Sequence, residues 1–209
     1  MLNQDRIQGN RELIVRFLLE TKRVGIPALL QWLDGAGFFK SLASTKYHGC
    51  YPGGLAQHSL NVYGRYIELS GACGVEVPSE SVALACLLHD VCKCGAYLKL
   101  ETEVFEPETT GEIRYVYNED HPGGHALLSI ERIERFVSLT DLERRMIKFH
   151  MGIYGAMNKD GRRDEYTLLA LKEALNDPAV KLMCFADELA TLEEMAAARN
   201  IKPETGNLK

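Results

Sequence analysis

The chain has 209 residues, 46% of them hydrophobic and 25% charged, with 7 prolines, which is the make-up of a globular fold able to bury one sizeable core. That composition excludes disorder, a collagen-like repeat and a disulfide scaffold. Lys and Arg number 24 against 29 Asp and Glu, a net charge of −5, so no global positive field draws in a long nucleic acid.

No apolar run approaches the roughly 18 to 20 residues of a membrane span, and the start, Met1-Leu-Asn-Gln-Asp-Arg, lacks a secretory signal; the expected location is cytoplasmic. Six cysteines (Cys50, Cys73, Cys86, Cys92, Cys94, Cys184) are scattered without a CxxC, and most read as buried, reduced thiols. Two helical patterns open the chain. One runs around Arg11 to Thr21, with Leu13, Phe17 and Leu18 on a stripe, and one from Pro27 to Ala36 has Pro27 in its first turn. Residues 1–40 thus form a helical layer. Ser41 to Gly54 has no period and several glycines, and reads as loop. The helix that follows reaches about Ala72, with Leu55, Val62, Tyr66 and Leu69 facing inward.

Ser79 is placed to cap a helix so apolar, through Val82, Ala83, Ala85, Cys86, Leu87 and Leu88, that it must be central; it is expected to end near Cys94-Gly95. Between Tyr97 and Asn118 the period changes to two, which predicts a hairpin around a polar turn at Pro107 to Glu112. Helices resume from Gly124 to Val137. Thr140 with Glu143 forms a capping box opening a helix to His150, Tyr166 to Leu175 forms a short helix, and Asp177-Pro178 starts the last long one. With no repeat and no linker, the chain reads as a single domain over 1–209, mainly all-α with a small β-hairpin insertion around residues 97–118.

Three of these helices carry metal-ligating side chains on apolar faces. His58 lies three residues after Leu55 and four before Val62. His89 lies seven after Val82 and three after Cys86, with Asp90 beside it, and Asp187 lies four after Met183 and three before Ala190. A buried carboxylate is costly unless it is paired or binds a cation, and bundles build metal sites from facing helices in this way. Singly, each residue also fits a hydrogen-bonded core position; together, in the order His58, His89-Asp90, Asp187, they predict a metal site. Histidine and carboxylate ligands suit a divalent ion such as iron, manganese, cobalt, nickel, zinc or magnesium.

The segments Tyr51-Pro-Gly-Gly-Leu-Ala-Gln-His58-Ser-Leu-Asn-Val, Ala85-Cys-Leu-Leu-His89-Asp90-Val-Cys-Lys93 and Phe185-Ala-Asp187-Glu-Leu-Ala-Thr resemble the HD-domain metal-dependent phosphohydrolases. The resemblance covers about residues 47–191. It implies an HD-type helical bundle in which His58, His89, Asp90 and Asp187 hold one divalent ion, with His89 and Asp90 at the reacting centre and Lys93 binding phosphate. Lys93, three residues after Asp90, also fits an exposed lysine closing a helix dipole. In family members with a second ion, two further histidines contribute, which here would be His125 and His150, with Asp90 bridging. His121 competes with His125 but reads as a loop histidine before Pro122, and His48 reads as a loop residue near the entrance.

The region around His58 looks most like small bacterial HD hydrolases and the HD module of 3′–5′ exoribonucleases. The Gly-Tyr-Pro element of the cyclic-dinucleotide phosphodiesterases is missing, since Met151-Gly-Ile-Tyr-Gly follows His150, and so are the acidic residues that HD deoxynucleotidases carry after the pair. The resemblance therefore implies a phosphoester hydrolase acting on a small phosphorylated substrate, a nucleotide first of all. The alternatives are an HD-type di-iron oxygenase, a 3′–5′ exonuclease or phosphodiesterase on short oligonucleotides, and a non-enzymatic sensor.

Overall fold

In a computed structural model of the protein, residues 2–100, 115–122, 124–157 and 162–201 are described. Among them are eight α-helices and one two-stranded antiparallel hairpin, so the fold is mainly all-α. The helices are α1 (Leu2–Glu20), α2 (Ile26–Gly35), α3 (Gly54–Cys73), α4 (Ser79–Leu88), α5 (His125–Glu134), α6 (Asp141–Phe149), α7 (Glu165–Ala174) and α8 (Pro178–Ile201). No described helix is long and apolar enough to cross a membrane.

Helix α4 is the axis of the bundle because its sequence has no polar face: every residue from Ser81 to Leu88 is buried. A helix that is apolar all round must be covered on every side. Helices α3, α6 and α1 pack around it, and α8 lies across α3 and α6. The α3–α8 contact is the most extensive, and Ala179, Ala186 and Ala190 of α8 are buried, as are Leu55, Val62 and Tyr66 of α3. Tyr66 keeps its polar end satisfied by donating to the Ala179 carbonyl at 3.3 Å. Over this core, Ile14 and Leu18 of α1 and Ile26, Leu29 and Leu33 of α2 are buried in the same apolar cluster.

Several boundaries differ from the sequence expectation. Helix α1 begins at Leu2 rather than near Arg11; its first half is mostly exposed, so it has little apolar period to read, and buried Asn10 is held by a hydrogen bond to Gln57 at 3.0 Å. Ser79 does not cap α4: Pro78 is the N-cap residue and no side chain bonds the first turn. Helix α4 stops at Leu88 instead of Cys94-Gly95. Asp90 leaves the helix at φ −113°, ψ 17°, and a short 3-10 turn follows at Val91–Lys93. This backbone region is sparsely populated and common at functional sites.

The capping box at Thr140 and Glu143 is present, with both reciprocal hydrogen bonds formed. Asp177 accepts from the Ala179 amide and starts α8 at Pro178. The hairpin pairs β1 (Tyr97–Lys99) with β2 (Tyr115–Tyr117), Tyr97 opposite Tyr117; the expected turn at Pro107 to Glu112 lies outside the described residues. All six cysteines are free: Cys86, Cys92 and Cys94 are buried, Cys184 is half-buried, and Cys50 and Cys73 are exposed.

Candidate metal centre

Helix ends and helix faces deliver the histidines to one point. His58 projects from the buried face of α3, while His89 and His150 are each the residue that closes a helix, α4 and α6 respectively. At both closures the same local device fixes the ring. Nδ1 of His89 bonds the Cys86 carbonyl at 2.8 Å, and Nδ1 of His150 bonds the Ile147 carbonyl at 2.7 Å. A carbonyl only accepts, so Nδ1 carries the proton and Nε2 is left with its lone pair toward the centre. His125, the first residue of α5, has Nδ1 3.2 Å from the Cys92 thiol, and His58 has Nδ1 3.0 Å from Glu194 of α8.

All four Nε2 atoms meet carboxylate oxygens. His58 Nε2 lies 3.0 Å and His89 Nε2 3.7 Å from Asp187 Oδ1, and His89 Nε2 lies 3.3 Å from Asp90 Oδ2. The other oxygen of Asp90, Oδ1, faces His125 Nε2 at 3.0 Å and His150 Nε2 at 3.5 Å. Asp90 therefore divides the centre: one oxygen belongs to the His58, His89 and Asp187 side and the other to the His125 and His150 side. Lys93, carried on the 3-10 turn, places Nζ 2.6 Å from Asp90 Oδ2.

The residues fit a divalent cation. His89 Nε2 and Asp90 Oδ1 are buried and, close as their neighbours are, make no well-aligned hydrogen bond, and His58, His89 and Asp187, like His89, Asp90 and His150, bring their ligand atoms within 4.8 Å of one another. Buried polar atoms with no partner are rare, and nitrogen lone pairs converging with carboxylate oxygens are what a cation satisfies. Ligating histidines characteristically have the far ring nitrogen held by a carbonyl or carboxylate, as three of these do.

The electrostatics follow. Burial opposes the charged form of Asp90, yet the Lys93 ammonium and the surrounding histidines hold its carboxyl well below the usual range. Burial likewise opposes Asp187, but its bond to His58 keeps it ionised. His58 is itself raised to about 9: burial works against its charge, and the bonds to Asp187 and Glu194 outweigh it. Burial lowers His89, with Asp90 pulling the other way. Lys93 remains an ammonium because Asp90 more than offsets its burial.

The six expected ligands and Lys93 are thus assembled in one place. His121 is turned elsewhere, its Nε2 against the Cys92 carbonyl at 2.6 Å and its Nδ1 3.3 Å from the Tyr117 hydroxyl. His48 does sit in a loop, with its ring 4.5 Å from that of His58, and burial lowers it to about 4. Sequence reasoning missed Glu194, Asn61 and Arg132. Asn61 donates to Glu194 at 2.8 Å, completing the support of His58. Arg132 donates to the carbonyls of Val91, Cys92 and Cys94 at 2.9 to 3.2 Å and so grips the turn that carries Lys93. The spacing was available: Glu194 is seven residues after Asp187 and Asn61 three after His58, each on the same helix face. Comparisons with protein-family models, with curated proteins and with solved structures found no match.

Proposed function

We propose that the protein is a metal-dependent phosphohydrolase that cleaves a phosphoester of a nucleotide or another small phosphate compound. The observation that carries this reading is the divided carboxylate of Asp90, with one oxygen toward His89 and the other toward His125 and His150. Such an arrangement suits two cations sharing one bridging ligand, His58, His89 and Asp187 on the first and His125 and His150 on the second. Divalent ions bound there would supply activated water near neutral pH and neutralise charge on a phosphate.

The chain's own groups account for the rest. Carbonyls and Glu194 fix the ring orientations, so little reorganisation is needed when substrate arrives. Lys93 brings a fixed positive charge to the centre, where it pairs with a non-bridging phosphate oxygen. The order His58, His89-Asp90, Asp187 in the sequence, which resembles the HD phosphohydrolases, supports the same chemistry.

The test is metal analysis of the purified protein with a phosphate-release screen over nucleotides, cyclic nucleotides and short oligonucleotides, in Mn²⁺, Co²⁺, Ni²⁺, Zn²⁺, Mg²⁺ and anaerobic Fe²⁺. Phosphoester hydrolysis that needs metal, with both metal and turnover lost in Asp90→Ala, is the expected result. Full metal occupancy and turnover in Asp90→Ala would overturn the site, and two irons with oxygen consumption but no hydrolysis would overturn the reaction.

A further inference from the structure

Exposure is uneven across the centre: the side chain of Asp90 is 2% exposed, that of Lys93 14% and that of Asp187 17%. The side chains of His58, His89 and His150 are at most 1% exposed, whereas that of His125 is 34% exposed. The open side of His125 forms part of the wall of a cavity of about 260 Å³ between the start of α5, the end of α6 and the 3-10 turn at Gly152–Ala156. Leu127, Phe149 and Met151 give that cavity apolar walls, Lys148 adds the one cationic group among its lining residues, and Gly155 contributes bare backbone.

We propose that this cavity seats the organic half of the substrate, and that it takes one planar, apolar ring. The inference rests on the phosphohydrolase reading for its other half, the phosphate at the metal centre. His125 belongs to both: its Nε2 faces Asp90 and the same residue lines the cavity, which puts the cavity beside the centre, within reach of the alcohol portion of an ester held there. Apolar walls select a ring face over a polyol, and methionine adapts to and contacts aromatic edges. The Lys148 ammonium stands 5.1 Å from the Phe149 ring centroid, where it meets ring acceptor atoms or the face of a second ring. The volume lies below the roughly 300–1,000 Å³ of sites for drug-sized ligands, so one small ring system is accommodated rather than a run of nucleotides. A nucleobase and a simple aryl group share this chemistry.

Binding of non-hydrolysable phosphonates to the metal-loaded protein, measured by calorimetry, tests the seat separately from catalysis. Phenylphosphonate or the phosphonate analogue of a nucleoside monophosphate is expected to bind at least about tenfold more tightly than methylphosphonate, the value of burying a ring. Which of the two is tighter tells an aryl from a nucleobase occupant. Gly155→Leu adds a side chain at the cavity wall, with a Cβ at an ordinary 3.5 Å from Met151; a metal content and Tm like those of the native protein check that it folds. Leu127→Ser removes an apolar wall at a position that is 61% exposed. Both variants should keep their metal and reduce the ring preference to less than about threefold. Equal affinity for ringed and ringless phosphonates in the native protein, or an undiminished preference in both variants, overturns the proposal. A ring preference without phosphate release from any ester would instead overturn the hydrolytic reading and leave the seat standing.

Discussion

Asp90 and Glu194 illustrate what a single residue does here and how far sequence reveals it. Asp90 was legible not singly but because it stands beside an inward histidine on an apolar helix, in one series with His58 and Asp187 on other helices. Glu194 was not, because it sits in Leu192-Glu193-Glu194, where an acidic pair on a long helix normally faces water. The seven-residue spacing from Asp187 is the one sequence signal that sets Glu194 apart, and the structure shows the outcome: Glu193 pairs with Arg65 at the surface, and Glu194 turns inward to His58 and Asn61. The inward carboxylate fixes the ring of a proposed ligand and raises its basicity, and removing such a partner typically costs 10- to 100-fold in metal affinity. Glu194→Ala is therefore expected to weaken metal binding by roughly that factor in a chelator-competition titration. Glu194→Gln, which still offers Nδ1 an acceptor, should lose less. Equal losses in the two variants would mean that orientation plays no part.

Helix α6 starts where local chemistry says, and α4 stops where tertiary contacts say. Helix α6 was legible from Thr140 and Glu143 alone, since a capping box satisfies two orphan amides within four residues. Its Glu143 has a second task invisible to sequence: the buried carboxylate also takes Ser81 of α4 at 2.7 Å and Arg23, from the connection between α1 and α2, at 3.1 Å. Thr140→Ala should accordingly cost about 1 kcal/mol in urea denaturation, the ordinary worth of a cap. Glu143→Ala should cost more, about 2–3 kcal/mol, because it removes the reciprocal cap bond and strips buried Ser81 of its partner, while Arg23, a quarter exposed, keeps the Ser138 carbonyl. The end of α4 was not legible, because Val91 and Cys92 continue its apolar pattern. What ends it lies far along the chain: Ser129 accepts the Cys92 amide and Arg132 collects three carbonyls of the following turn. Arg132→Leu should loosen this turn, with faster amide exchange at Val91–Lys93 and lower metal affinity, while the α3–α8 contact, which Arg132 does not touch, keeps its protection.

At the scale of the whole molecule, the proposed ligands come from α3, α4 and its turn, α5, α6 and α8, so the centre joins parts of the chain as far apart as His58 and Asp187. The bundle and the inward placing of His58, His89, Asp90 and Asp187 were legible from helical periodicity, whereas the addition of His125 and His150 to the same point was legible only through the resemblance of the quoted motifs. A net charge of −5 carried no trace of it, because a whole-chain sum does not say which acidic groups turn inward. Three buried or nearly buried carboxylates, Asp90, Asp187 and Glu194, face Lys93 and a protonated His58, and a cation that enters must displace that histidine proton. Binding to the folded chain alone then stabilises it by mass action, by about 4 kcal/mol when free ion exceeds Kd a thousandfold. For a chain of this length that corresponds to a rise in Tm of roughly 8–16 °C. Scanning calorimetry with and without chelator should show this shift in the native protein and none in Asp90→Ala. Gly25→Ala gives the complementary case: its Cβ would fall 1.8 Å from the Phe136 carbonyl oxygen at a φ of +93°, so it should lower Tm whether or not metal is present. If chelation left the native Tm unmoved while Gly25→Ala lowered it, the bundle would stand on packing alone and the centre would hold no ion worth its ligands.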